Sequence, residues 1–515
     1  MVGEENSREW LMELVESARS SDTKEAKVAA ISAVPPSLVE KLLHTGAVNP
    51  SKESNLLGTG VAASPGVASG IVCLSSDAVL DATDLEETAI LVCNETTPAD
   101  EIGMRLADGI ITARGGTASH AAVVARGWGI PAVVGVADLQ ISETFFTLAG
   151  VEIRSGEKIS LNGTSGEVLL GHTEVEVTKD TPELDLLLSW ADEVRLGKVA
   201  VRANADTGED AARAKAFGAE GIGLCRTEHM FLGERLPLIQ SFILAETEEE
   251  EKNSLFGLAE AQRRDLAEVI AAMAPYPVTV RLLDAPLHEF LGEQTPEEWM
   301  EHNPMLGMRG VRLAIVREEL YRMQTRSLVG ALIDLKAQGL SPRADIMIPL
   351  VSEAKELSTV REWVEEEISE VDPSIRPKIG TMIETPRAAV TASKIAEHAD
   401  FFSFGTNDLT QLVFGFSRDD IESRIMSAYL EKNILSANPF ENLDSLGVGE
   451  LIDRAIQSGR GHNPDLEIGI CGEHGGDPES ISFLVKTGVD YVSCSPFRIP
   501  VARLALAQAL IANEN

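Results

Sequence analysis

Positive charge is scarce in this chain: 44 lysines and arginines stand against 81 aspartates and glutamates, a formal net charge of -37. A surface so acidic repels phosphate backbones and anionic lipid, which excludes nucleic acid and charged membrane as partners. Cysteine is sparse too. Cys73, Cys93, Cys225, Cys471 and Cys494 are scattered singly, with neither a disulfide framework nor metal-ligand spacing, and read as reduced thiols. No stretch approaches the roughly 18 uninterrupted apolar residues of a membrane span. The opening MVGEENSREW carries early acids in place of a signal peptide's apolar run, so the expected location is the cytoplasm.

What is present is enough apolar content, 44% of 515 residues, to fill at least one large core, and length alone suggests two to four domains. Residues 1–57 read as a short helical segment, with Pro at a helix start and apolar spacing of three or four in PPSLVEKLLH. From 58 to 170 the pattern changes to glycine-rich turns and short apolar strands, with one helix from about His120 to Arg126, which describes a compact β-rich α/β domain. Residues 171–190 turn polar and Thr-rich and then helix-like, as in an exposed linker. Between 191 and 515 short apolar runs alternate with amphipathic helical stretches: KVAVRANAD, EGIGLCR, VTVRLLD, ADIMIPLV, KIGTMIE, DFFSFGTND, EIGICGE and DYVSCSP. That alternation is what a (β/α)₈ barrel needs, with a doubly wound open sheet as the rival architecture. A long excursion between Arg226 and Val278 contains the acidic run Glu248 to Glu251, and that run reads as a solvated helical insertion.

Two constellations carry chemistry. The first runs from Gly115 to Ala122, GGTASHAA, and places His120 between a glycine turn and a helix that Ser119 can cap. A phosphoryl group on that ring would meet backbone N–H groups and the positive end of the helix dipole, and histidine offers a neutral nucleophilic nitrogen at cellular pH. Capping and packing are the alternative uses of a histidine there. The second constellation is distributed over the ends of strand-like runs, where a barrel gathers its catalytic loops. Arg226 and Arg281 are planar donors for phosphate or carboxylate, while Glu384, Asn407 and Asp408 are hard oxygen ligands of the kind Mg²⁺ prefers. Gly405 and Thr406 bring backbone amides to a ligand or simply make a turn. Cys471, in a Gly-Ile-Cys-Gly turn, is either a small packed hydrophobe or a proton donor. His229, His288, His302 and His474 show no mutual metal-ligand spacing and read as locally hydrogen-bonded.

The segment GGTASHAAVVARGWGIPAVVG resembles the phosphohistidine swivelling domain of the phosphoenolpyruvate (PEP)-utilising enzymes. GAEGIGLCRTEHMF, VTVRLLDAPLHEFL, NPMLGMRGVRL, SFGTNDLTQ, ICGEHGG and DYVSCSPFRIPVARLALAQA look like the pyruvate phosphate dikinase branch of that family, and RLLDAPLHEF discriminates best. The resemblance implies a swivelling β/α domain followed by a TIM-type barrel that binds pyruvate or PEP. It makes His120 the phosphoryl carrier, Arg226 and Arg281 the ligands of phosphoryl and carboxylate groups, and Glu384 and Asp408 the Mg²⁺ ligands. Gly405, Thr406 and Asn407 line the substrate, and Cys471 matches the acid that protonates the enolate carbon. A homodimer through the barrel is also implied. Two departures matter. Nothing before Gly58 is long enough for the dikinase's ATP-grasp region, so ATP use is expected to need a separate ATP-grasp polypeptide. The family's regulatory threonine, two before the histidine, is Ala118 here. A phosphohistidine donor to a carrier protein and a non-catalytic PEP- or pyruvate-sensing subunit are the alternative functions.

Overall fold

A computed structural model describes residues 8–514 except 44–45, 49–55, 86, 97–99, 117–118, 143, 172–174, 178–180, 232–234, 292–294, 296–300, 419 and 422–424. The chain divides into two units, residues 1–193 with 417–438, and residues 194–416 with 439–515. Among the described residues no helix is long and apolar enough to cross a membrane.

The first unit begins with helices Arg8–Ser21, Lys24–Ala33 and Pro36–Leu43, the second of them capped by the Thr23 hydroxyl. Its main sheet has eight strands, in the order Leu56–Thr59, Glu167–Leu170, Lys158–Asn162, Val67–Cys73, Ala89–Cys93, Gly109–Thr112, Ala132–Val134 and Val61–Ser64. The four from Val67–Cys73 to Ala132–Val134 are mutually parallel. Period-two alternation splits their side chains between two cores. Ile90 and Val92 join Phe146, Leu148 and Ile153 on one face, while Ala89 and Leu91 join Val79, Met104, Ala122 and Ala125 on the other. Helices therefore cover one face only, and a three-stranded sheet of Gln140–Ile141, Phe145–Leu148 and Val151–Arg154 supplies the other. The described parts of 171–190 are not featureless: Val175–Val177 pairs antiparallel with Gly46–Val48, and a helix runs from Pro182 to Arg195.

The second unit is a closed barrel of eight parallel strands. They are β1 (Ala200–Asn204), β2 (Ile222–Arg226), β3 (Pro277–Arg281), β4 (Arg343–Ile348), β5 (Ile379–Ile383), β6 (Phe401–Phe404), β7 (Glu467–Ile470) and β8 (Tyr491–Cys494). Each falls in one of the apolar runs read from the sequence, and β8 pairs with β1 to complete the ring, which rules out the open sheet. Such runs are legible because strands buried on both faces need apolar residues at every position. The stretch after Arg226 departs from expectation. Its helix Glu248–Met273 buries Leu255, Leu258, Leu266, Val269, Ile270 and Met273 and packs beside helices Gly208–Ala216 and Glu318–Ala337, so the acidic run, helical and solvated at Glu249 and Glu250 as read, opens an outer-ring helix of the second βα unit and is not an insertion. The acidic run forms its first turn, where carboxylates complement the helix dipole, and Thr247 with Glu250 makes a capping box.

Candidate active site

In the first unit the helix expected at His120 spans His120–Trp128. Ser119, extended at φ -68° and ψ 156°, caps it by accepting from the Ala122 N–H at 3.4 Å. Gly115 in the preceding turn sits at φ +114°, and a Cβ there would lie 2.8 Å from the Ser119 hydroxyl, so glycine is required for the turn to close on the cap. His120 is half-buried, and its Nδ1 lies 2.9 Å from the Thr96 hydroxyl. With the ring proton on Nδ1 and donated to Thr96, the lone pair is left on Nε2 at the head of the helix. Thr117 and Ala118, and with them the regulatory position, lie outside the described residues.

In the barrel, the C-terminal strand ends gather a second group. Asp206, two residues beyond β1, is buried, and it accepts from the Arg226 backbone N–H at 2.7 Å and its Nε at 3.1 Å. His229 Nδ1 lies 2.9 Å from the same carboxylate. Burial pushes the Asp206 pKa up, but Arg226 and His229 outweigh burial and hold it well below the usual carboxylate range. Arg281, at the end of β3, is 8% exposed; it pairs with Glu228 and lies 3.1 Å from Asp284. Burial works against its charge, yet the two carboxylates leave its pKa raised. Arg309 grips Asp284 through both oxygens, at 2.9 and 2.7 Å, and reaches Asp408 at 3.3 Å.

Asp284, Glu384 and Asp408 offer carboxylate oxygens all within 4.8 Å of one another. Their availability differs. Both Asp284 oxygens are committed to guanidinium groups, whereas Glu384 accepts from the Leu350 N–H at 2.6 Å through one oxygen and its other oxygen is buried with no hydrogen-bond partner among the described residues. Burial first, and then Asp408 and Asp284, push the Glu384 pKa well above its ordinary value. A buried oxygen without a donor beside a second carboxylate fits a divalent cation, so Glu384 and Asp408 are the pair with capacity to hold Mg²⁺. Gly405 is needed where it stands, because a Cβ there would lie 2.5 Å from a Glu384 oxygen.

Cys471, one residue past β7, is buried in the barrel interior with Leu224, Met347, Met382 and Phe401. Burial pushes its thiol up to about 12, so it stays protonated at neutral pH and has a proton to give. Its carbonyl accepts from the Asn204 side chain at 3.1 Å, and Asn204 in turn accepts from the Ser493 hydroxyl at 2.7 Å. Thr406 is buried against His474 Nδ1 at 2.8 Å, and Asn407 accepts from the Glu473 N–H at 3.3 Å, which ties the loops after β6 and β7 together. His474 is also held at Nε2 by the Pro439 carbonyl at 2.9 Å. Of the four histidines read as locally satisfied, His229 and His474 have such partners, His302 is exposed, and the side chain of His288 lies outside the described residues.

Arg226, Arg281, Glu384, Asp408 and Cys471 are thus brought to one end of the barrel, while His120 belongs to the first unit. Sequence reasoning did not single out Asp206, Glu228, Asp284 or Arg309. A signal existed for three of them, since Asp206, Glu228 and Asp284 each fall two or three residues past a strand end. Arg309 sits in the loop before helix Gly310–Val316, where no strand marks it.

Comparison with known proteins gives two family matches. The PEP-utilising enzyme mobile domain matches residues 85–166, and the PEP-utilising enzyme PEP-binding domain matches residues 183–511. Pyruvate, phosphate dikinase 1, chloroplastic, of Arabidopsis thaliana is 45% identical, covering 94% of this chain and 53% of its own length. Pyruvate, phosphate dikinase 2 of Zea mays is 46% identical, covering 94% of this chain and 58% of its own. The chain therefore spans about half the length of the curated relatives it matches.

Proposed function

The chain belongs to the PEP-utilising enzyme family, and on that premise we propose that it moves a phosphoryl group between His120 and pyruvate or PEP, as the PEP/pyruvate half of a dikinase-type phosphotransferase. One observation carries the reading: the half-buried Arg226, the buried Arg281, a Glu384 oxygen without a hydrogen-bond partner among the described residues beside Asp408, and a protonated thiol converge at the C-terminal end of the barrel. In the direction of pyruvate formation, PEP's enol oxygen–phosphorus bond breaks and a bond from phosphorus to His120 Nε2 forms. The enolate oxygen keeps the electron pair, and the methylene carbon takes the Cys471 proton. Arg226 and Arg281 hold phosphoryl and carboxylate oxygens and need no reorganisation as charge shifts between them. Thr406 and Asn407, braced by His474 and the Glu473 N–H, line the substrate with Gly405. Mg²⁺ on Glu384 and Asp408 would supply charge neutralisation at the enolate oxygen.

The remaining organisation follows the same reading. Residues 58–170 form the phosphohistidine domain, 171–190 the connector that lets it travel, and 191–515 the substrate barrel, which pairs with a second copy. A separate ATP-grasp polypeptide would charge His120 in trans, and the unpaired cysteines suit a cytoplasmic setting. The test of the reading is incubation of the full chain with Mg²⁺ and phosphorus-labelled PEP. Acid-labile, alkali-stable label with pyruvate released in equal amount is the expected result, and an unlabelled wild-type protein overturns it.

Cys471 permits a separate check. Cys471→Ala should slow Mg²⁺-dependent deuterium exchange of the pyruvate methyl group, followed by NMR, by roughly 10² to 10⁴, the usual worth of a positioned acid. Unchanged exchange would return the thiol to a packing role.

A further inference from the structure

The site contains a further basic side chain that no assignment above uses, the imidazole of His229. The turn Glu228–Phe231 follows β2 directly and carries the imidazole to Asp206. There one carboxylate oxygen is shared between His229 Nδ1 at 2.9 Å and the Arg226 Nε at 3.1 Å. Asp206 has a side chain 4% exposed while that of His229 is 25% exposed, so the carboxylate is sealed and the ring is reachable. Asp206 holds Nδ1 as the protonated nitrogen, which directs Nε2 to the opposite edge of the ring. Among the described residues Nε2 has no hydrogen-bond partner. Arg226 and Arg281 are close enough to influence one another's charge, and His229 acts on Glu228, the partner of Arg281. The two guanidinium groups and the imidazole therefore belong to one cluster, set against Asp206 and Glu228.

Resting on the phosphotransferase reading, we propose that His229 is a specificity-determining residue of the anion subsite: its Nε2–H donates to the phosphoryl group of PEP, while Asp206 fixes the ring from behind. The bland alternative is structural, with His229 serving only to hold Asp206 and so Arg226. The two roles use different nitrogens, and that separates them. The proposed hydrogen bond requires a proton on Nε2 besides the one that Asp206 holds at Nδ1, and it arrives from solvent or on the phosphoryl group itself. Pyruvate lacks a phosphoryl group and has nothing to offer Nε2.

Two variants divide the roles. Asparagine places an amide near the Nδ1 position, keeps the contact with Asp206 and deletes Nε2; glutamine reaches the Nε2 position and gives up the Asp206 contact. Calorimetric titration of the full chain carrying His120→Asn, in which PEP can bind but not react, with PEP and with pyruvate, each with Mg²⁺, should show added His229→Asn weakening PEP binding roughly 10- to 100-fold. Pyruvate binding should be unchanged, and His229→Gln should retain most of the PEP affinity. Equal loss for both ligands, no loss in His229→Asn, or a larger loss in His229→Gln than in His229→Asn each overturns the proposal. Wild-type protein that binds neither ligand fails the phosphotransferase reading itself, and this inference falls with it.

Discussion

His120→Asn should accept no phosphoryl group at all. The substitution removes both ring nitrogens, and asparagine's amide nitrogen, its lone pair delocalised, cannot replace either as a nucleophile. Label from PEP should fall to background in the variant, and any measurable turnover should drop by about 10³ or more, because no parallel route avoids the intermediate. The measurement needs a control for folding, and the local structure suggests it is met. The helix is capped by Ser119 and closed by Gly129 in the left-handed region at φ 68°, neither of which depends on the imidazole. Retention of label in His120→Asn would show that another side chain is the acceptor, and would dissolve the link between the first unit's helix and the barrel's chemistry.

Glu384→Gln should remove turnover and steady the metal-free protein at the same time. The activity loss follows from deleting one of two carboxylates with capacity for Mg²⁺, and is expected to reach roughly 10³-fold or more, since cation and arginines together neutralise the migrating charge. The stability gain comes from the buried oxygen that has no donor. With its folded pKa well above 4.5, Glu384 supports the fold fully at pH below the unfolded carboxylate's pKa. That support fades as pH rises through the folded value, where a buried charge must form. Thermal stability of the wild type without Mg²⁺ should therefore fall relative to Glu384→Gln as pH rises from the unfolded carboxylate's range toward the raised folded value, and adding Mg²⁺ should restore the wild type alone. A variant that melts in parallel with the wild type across that range would mean the carboxylate is already compensated.

The contrast between these residues also explains what could be read from the chain beforehand. All eight barrel strands were legible, because parallel strands covered on both sides must be apolar throughout, and Glu384 and Cys471 were legible as polar or reactive residues immediately beyond such a run. Asp206 with Arg226, Glu228 with Arg281 and Asp284 with Arg309 were not. Which carboxylate meets which guanidinium depends on how neighbouring loops fold over each other, and local spacing holds no record of it. The acidic run that opens helix Glu248–Met273 reads as an insertion for a related reason: it is solvated, and the apolar positions that anchor the helix in the outer ring begin only at Leu255. The pairing of Gly46–Val48 with Val175–Val177 escaped notice because its halves are far apart in sequence and each is three residues long.

The chain Cys471 carbonyl, Asn204 side chain, Ser493 hydroxyl runs across β7, β1 and β8. It crosses the seam where the hoop of strands shuts, so the backbone behind the thiol is fastened by the last pairing event to occur along the chain. The Cys471 N–H is held separately by the Phe404 carbonyl at 3.1 Å, so β6 and β7 alone place one side of this residue, whereas its carbonyl is braced through Asn204 only in a ring that has shut.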